Sequence, residues 1–371
     1  MQSKTEINYL IQPQQTNNKG KTARTILYIG MAGSAMDPQI IGINLGFIQL
    51  SIFRLALAIL LVVFASYDFG GRYSGTSGSI YSLEKPSYIS RRSYNLAQVF
   101  MLIWLLYALI SVIWAKDSSL WLKNVFYLCV GNACCWIVPP LIARPEHILD
   151  CLRSFTFMNM VHNAIGWYEV ITGNYYFLTT TSRAWVYAST RAPASLFGGE
   201  NTLATFLVFS VIFTLVYQAN CKSKFIKFLC WVSVISSVLL LFRTSSRGNI
   251  FGLIVAIVIM LHYTLIIGRK RPAMIMALLI GTLAIMYICT CTSILSTTLE
   301  KLNIDFLSSK TSSDVIRLNL IKSGFSYLID TYFIGVGAGN SSYWLQSNAP
   351  YYTGNINVMH NYWIEILVDY G

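Results

Sequence analysis

The sequence predicts an all-α polytopic membrane protein of about ten transmembrane helices with one large extracytoplasmic loop, on three observations. Only 11% of its 371 residues are charged and 55% are hydrophobic, whereas a soluble domain carries about 25% charged residues. Apolar runs near the roughly 20 residues needed to cross a bilayer recur along the chain. Lysines and arginines gather in the short segments between those runs, the pattern that orients a membrane protein. The mean hydropathy of +0.54 agrees. A formal charge of +12 then speaks for membrane lipids and phosphate groups as partners, and not for nucleic acid.

Residues 1–24 are polar and rich in Gln and Asn, without the apolar centre of a signal peptide. They read as a disordered cytoplasmic tail. Residues 25–371 form the membrane domain. Spans are expected over 25–45, 47–66, 96–115, 124–143, 149–172, 202–219, 225–242, 248–267 and 273–292, and another begins near 359. The first is the weakest, because Asp37-Pro38 interrupts it and four glycines thin it, so it reads as kinked or re-entrant.

Loop charge fixes the expected orientation. With the N-terminus cytoplasmic, fifteen basic residues fall inside, in 4–24, 72–92, Arg144, 222–227 and 269–271. Six fall in the short outer loops: Lys116, Lys123, Arg183, Arg191, Arg243 and Arg247. The outer face then owns 173–200 and the long loop 293–358, in which Ser312 to Ile329 reads as an amphipathic helix. Val315, Ile316, Leu320, Phe325 and Leu328 supply its apolar side. All eight cysteines lie in or beside apolar runs, as buried free thiols do.

Three outer-face features carry chemistry. RAPASLFGGEN places Arg191 ahead of a span, TSSRGN places Arg247 at the start of another, and MHNYW places His360 and Asn361 at a third. Arginines on the outer face run against the positive-inside bias. Guanidinium forks bind phosphate oxygens bidentately, and a helix N-terminus adds partial positive charge to an anion site. An imidazole can take a proton from a sugar hydroxyl at neutral pH. Each of these residues also has a plainer reading, the arginines as headgroup anchors and the histidine as a packed interfacial side chain. GVGAGN, from Gly335 to Asn340, follows a helix rather than a strand, so a tight turn is favoured over a dinucleotide loop. His162 and His262 read as core or interface residues, and Arg54 and Arg153 as internally paired or snorkelling.

Four blocks in order, RAPASLFGGENTLATFL, SSRGNIFGLIVAI, DVIRLNLIKSGFSYLIDTYFIGVGAGN and HNYWIEILVDYG, resemble the O-antigen ligase and O-antigen polymerase superfamily, whose fold is GT-C-like. The resemblance implies a membrane glycosyltransferase of surface-polysaccharide biosynthesis. Such an enzyme transfers a saccharide from undecaprenyl diphosphate to an acceptor glycan or glycolipid at the outer face of the cytoplasmic membrane, with no cofactor and no metal. It makes Arg191, Arg247 and Arg317 diphosphate contacts, His360 the catalytic base and Asn361 its support. The family signature continues past the position of Gly371, so the resemblance also implies that the chain is truncated. The competing expectation is a flippase or permease for a lipid-linked saccharide, which would place polar groups at mid-membrane depth on repeated halves.

Overall fold

The computed structural model describes residues 18–38, 40, 42–44, 49–74, 91–142, 144–177, 191–244, 246–266, 281, 283 and 313–371. It is a helical bundle: α1 (Asn18–Gly33), a two-stranded hairpin of β1 (Gly42–Asn44) and β2 (Gln49–Ser51), α2 (Ile52–Ser74), α3 (Arg91–Ile110), α4 (Ser118–Leu141), α5 (Pro145–Thr172), α6 (Glu200–Asn220), α7 (Lys224–Arg243), α8 (Arg247–Ile266), α9 (Ser313–Asp330), α10 (Ser341–Asn348) and α11 (Tyr362–Tyr370). Among the described residues, five helices are long and apolar enough to cross a membrane, spanning 95–113, 118–141, 200–220, 224–243 and 247–266. Most of the tail, most of the expected span 273–292 and the loop from 293 to 312 lie outside the described residues.

The first expected span takes a different form. α1 opens at Asn18 and stops after 16 residues, roughly 24 Å at 1.5 Å per residue, short of a hydrocarbon core about 30 Å thick. The chain then turns through Ser34 to Asp37 and pairs β1 with β2 antiparallel, Ile43 opposite Leu50. The break has a side-chain cause. The Asp37 carboxylate accepts from the Gly198 amide at 2.9 Å while the Asp37 amide donates to the Leu196 carbonyl at 2.9 Å, so this backbone pairs with another segment instead of its own helix. α1 and α2 nonetheless run antiparallel, because Gly33 packs on Ile52 while Gly30 packs on Ala56.

α5 is 28 residues long and is not among the five apolar spans, because it carries the buried polar side chains Asn159, His162, Asn163 and Glu169. It lies at the bundle's centre, against α1, α6 and α7. Asn159 and Asn163 exchange hydrogen bonds of 2.8–3.0 Å with Ser233, Ser236 and Ser237 on α7, and the Trp167 indole donates to Ser236 at 2.8 Å. These pairs set α5 parallel to α7 and act as the interhelical polar glue of a membrane bundle. Leu203, Leu207, Leu240, Leu241, Leu253 and Ile257 close the core around them.

α9, α10 and α11 form a separate apolar unit around Leu320, Tyr327, Leu328, Val336 and Val368. The amphipathic helix lies where the sequence puts it, but its packed face runs through Leu320, Ser323, Gly324, Tyr327 and Leu328. Phe325 stands about 140° round the helix from Leu320 and is 50% exposed, and Val315 is likewise exposed. Gly324 is small for a reason, since a Cβ there would lie 2.6 Å from the Ile364 side chain.

GVGAGN is the turn that locks this unit to the bundle. Gly335, Gly337 and Gly339 all have positive φ. Added Cβ atoms would come within 3.0 Å of the α11 C-terminus, of Ala115 and of the Leu120 carbonyl respectively. Its amides are already spent: Val336 and Gly337 donate to the Val368 and Asp369 carbonyls, Ala338 to Ser111 Oγ, and Ser341 to the Asp369 carboxylate. Asn340 accepts from the Asp117 amide at 2.7 Å, and Asp117 also caps α4. With the amides of Val336, Gly337, Ala338 and Asn340 bonded to protein, the turn serves packing and does not form a phosphate cradle.

Candidate functional site

The site is built from the segment Arg191–Gly199, which is irregular yet buried from Ala192 to Phe197. Non-helical backbone inside a membrane bundle survives only where protein satisfies it; here two carboxylates take its amides and a histidine holds one of its side chains. Glu169, 1% exposed, accepts from the amides of Ala194 and Ser195, both at 2.8 Å. Asp37 takes the Gly198 amide. His162 bridges Ser195 Oγ at 2.9 Å and the Ala35 carbonyl at 2.7 Å. A carbonyl can only accept, so Nε2 carries the proton and Nδ1 accepts from the Ser195 hydroxyl. The ring stacks on Phe197 with centroids 4.8 Å apart. His162 is therefore a core residue, as the sequence suggests, with the added task of holding this segment.

Arg191 stands exposed at the mouth of the pinned segment, with φ 51. Left-handed backbone is uncommon for a residue with a side chain and is held only where the surroundings fix it. Next to it, Tyr175 donates to the Ala192 carbonyl at 2.9 Å. Burial and the nearby Glu169 carboxylate push the Tyr175 phenol up to about 12, against the opposing pull of Arg243 and Arg191. Glu169, Arg243, Arg191 and Glu200 thus all act on Tyr175, at the end of the bundle where α5 and α7 finish and α6 begins.

Arg247 opens α8, three residues beyond the end of α7, so Arg243 and Arg247 bracket a short turn. Both are exposed. Asn249 bonds Ser246 Oγ at 2.9 Å and reaches Thr205 at 3.2 Å and the Asn201 carbonyl at 3.5 Å, tying the start of α8 to the start of α6. The sequence motifs around Arg191 and Arg247 therefore meet in space. Arg243 joins them, and its signal was visible in the shortness of the TSSR turn.

His360 is held on the other unit, exposed, with φ 50, between buried Met359 and Asn361. Asn361 caps α11, its Oδ1 accepting from the amides of Trp363 at 3.1 Å and Ile364 at 3.3 Å. Among the described residues its side-chain oxygen is engaged in this cap, and no hydrogen bond joins it to the imidazole of His360. Glu365, one turn into α11, lies within electrostatic reach of His360. At the far end of α11, Tyr370 donates to Asn124 at 2.6 Å and packs edge-on against Trp104. Arg317 is exposed on α9, and among the described residues no hydrogen bond or ion pair ties it to the arginines of the bundle.

Packing order places the α3–α4 turn and the Arg191 segment at one end of the bundle. The start of α1 clusters with the end of α4 through Ala23, Leu27, Ile137 and Leu141. The end of α1 clusters with Leu196 and Met158. The α3–α4 turn, on which the His360 unit docks, therefore shares its end of the bundle with Arg191. Arg54 and Arg153 are paired internally, Arg54 with the Gln49 carbonyl and the Tyr127 ring, and Arg153 with Asp150.

Residues 231–371, which contain Arg243, Arg247, Arg317, His360 and Asn361, match the O-antigen ligase family. Over 355 residues the chain is 27% identical to the teichuronic acid biosynthesis protein TuaE of Bacillus subtilis (strain 168), an alignment covering 95% of this chain and 70% of that protein. The part of the chain that carries Arg247, the α9–α11 unit and the His-Asn cap is thus the part similar to the O-antigen ligase family, and the chain as a whole is similar to a teichuronic acid biosynthesis protein.

Proposed function

We propose that the protein transfers a saccharide from undecaprenyl diphosphate to an acceptor sugar hydroxyl at the outer face of the cytoplasmic membrane. The observation that supports this reading is that Arg191 and Arg243 both act on Tyr175 while the start of α8, which carries Arg247, is tied to the start of α6. This is the end of the bundle that bears the α3–α4 turn on which the His360 unit docks. Arg191 and Arg247 would hold the diphosphate, whose negative charge grows as the bond to the sugar breaks, so contacts there favour the transition state. His360 would take the proton of the attacking hydroxyl. Arg317 would be a secondary contact brought in by α9. The metal-free reading follows from a donor that already carries its leaving group.

The carrier alternative gains nothing from the bundle interior. The polar groups at mid-depth on α5 and α7 are buried and bonded to one another instead of lining an open path.

Donor turnover in liposomes, followed as release of undecaprenyl diphosphate, tests the reading. The wild type is expected to turn over. Arg247→Lys should lose at least tenfold in turnover despite keeping its charge, because an ammonium cannot reproduce a two-pronged guanidinium contact. An Arg247→Lys rate equal to wild type would return Arg247 to the role of a headgroup anchor.

The orientation has its own test. With native cysteines masked, Asn348→Cys should react with a membrane-impermeant thiol reagent in intact cells and Lys270→Cys should not. Labelling of the Lys270 position alone would invert the orientation and put the arginines on the cytoplasmic side.

A further inference from the structure

The α9–α11 unit contains an open cleft of about 440 Å³ between α10 and the segment 349–357, within the usual 300–1,000 Å³ range of small-ligand sites. Gln346, Tyr351, Tyr352, Asn355 and Asn357 give it two phenol rings and three carboxamides, and no Lys, Arg, Asp or Glu side chain lines it. In a chain of net charge +12, that lining separates the cleft chemically from the arginine cluster, and the cation that stands against it is the Lys322 ammonium, 5.9 Å from the centroid of the Tyr351 ring. Diphosphate is held by charge and by guanidinium forks, neither of which is offered by the lining. Carboxamides both donate and accept, and a phenol offers an apolar face with a polar tip. That set matches a sugar, whose hydroxyls do both and whose ring carries an apolar C–H face.

The walls are fastened. Asn319 on α9 donates to the Tyr352 carbonyl at 2.9 Å, and the Tyr327 hydroxyl lies 3.1 Å from the carbonyls of both Trp344 and Asn348. Gly354 and Asn355, both left-handed with φ 64 and 63, fold the segment back on itself. Asn357 precedes His360 by three residues, at most about 10 Å of extended chain.

We propose that this cleft is the acceptor subsite, where the terminal sugars of the acceptor glycan stack on Tyr351 and Tyr352 and bond to the carboxamides, with the reacting hydroxyl directed toward His360. The assignment rests on the transferase reading above, and it names what the acceptor end recognises: a pair of pyranose rings held by phenol faces and carboxamides. Tyr351 and Tyr352 are 45% and 58% exposed, so either ring can be removed without opening the core.

The test uses the full chain in nanodiscs, with saturation-transfer NMR and cellobiose and chitobiose as probes. Wild-type protein should transfer saturation to the ring protons of at least one disaccharide, and 1 M NaCl should leave the signal intact. Tyr352→Ala should reduce it at least fivefold, with an unchanged gel-filtration profile, whereas Tyr352→Phe should retain it. Absence of signal from both disaccharides, equal signal in Tyr352→Ala, or loss of signal in high salt would each overturn the subsite. Donor turnover is measured separately. Disaccharide binding without donor turnover keeps the cleft and removes the transferase reading, and turnover without disaccharide binding does the reverse.

Discussion

His360→Asn is expected to lower saccharide transfer by about 10²–10⁴-fold, the contribution of a general base, while leaving lipid-diphosphate binding near the wild-type level. Asparagine is the informative replacement. His360 sits at φ 50, and Asn accepts left-handed backbone more readily than Ala does, so the substitution removes the base without adding strain. The imidazole is exposed, and the neighbours that hold the local fold, buried Met359 and the cap Asn361, are untouched. Donor binding is assigned to arginines on the α5–α8 side of the molecule, so it should survive. Binding is read by equilibrium retention of labelled donor, and transfer by product formation in the same nanodiscs. Wild-type turnover by a folded His360→Asn protein would remove His360 from the chemistry, whereas loss of yield with normal specific activity would make it a packing residue.

Much of the fold was legible because its signal is local. Apolar runs of membrane length put expected spans on α3, α4, α6, α7 and α8, although the Asp117 cap starts α4 six residues before the expected 124. The break after α1 was legible in Asp37-Pro38. What was not legible is the pairing of Asp37 with Gly198, 161 residues away, because no local pattern encodes a partner that distant. For the same reason the pinned segment went unseen. Ala192 to Phe197 reads as an ordinary outer loop, and only the buried acceptors Glu169 and His162, from a helix that looks merely polar for a span, reveal that it is threaded into the bundle. The charged residues of the site were legible because arginines on the outer side oppose a strong compositional rule. Their grouping was not. Arg243 sits in the last turn of its helix and reads there as a favourable dipole partner, until the three-residue turn brings it beside Arg247. Phe325 failed for geometric reasons, since apolar character along α9 is wider than the stripe that α11 can cover.

The second large effect should come from Glu169, which touches neither substrate nor acceptor. Its Oε2 takes two buried amides at 2.8 Å each, and a buried donor left unpaired costs about 1–3 kcal/mol. Glu169→Ala orphans both amides in the segment that presents Arg191. The expected result is a marked fall in melting temperature of the detergent-solubilised protein, together with at least a tenfold rise in donor KM as Arg191 loses its fixed position. Glu169→Gln separates the causes. A carboxamide oxygen has two lone pairs and can accept from both amides, so its melting temperature should return most of the way to wild type, and its donor KM should follow. Recovery of stability without recovery of KM would mean that the carboxylate charge beside Tyr175, Arg191 and Arg243 matters in its own right, and that the segment is tuned electrostatically as well as clamped. Unchanged melting in Glu169→Ala would show that the two amides find other acceptors, and the clamp would then rest on Asp37 and His162 alone.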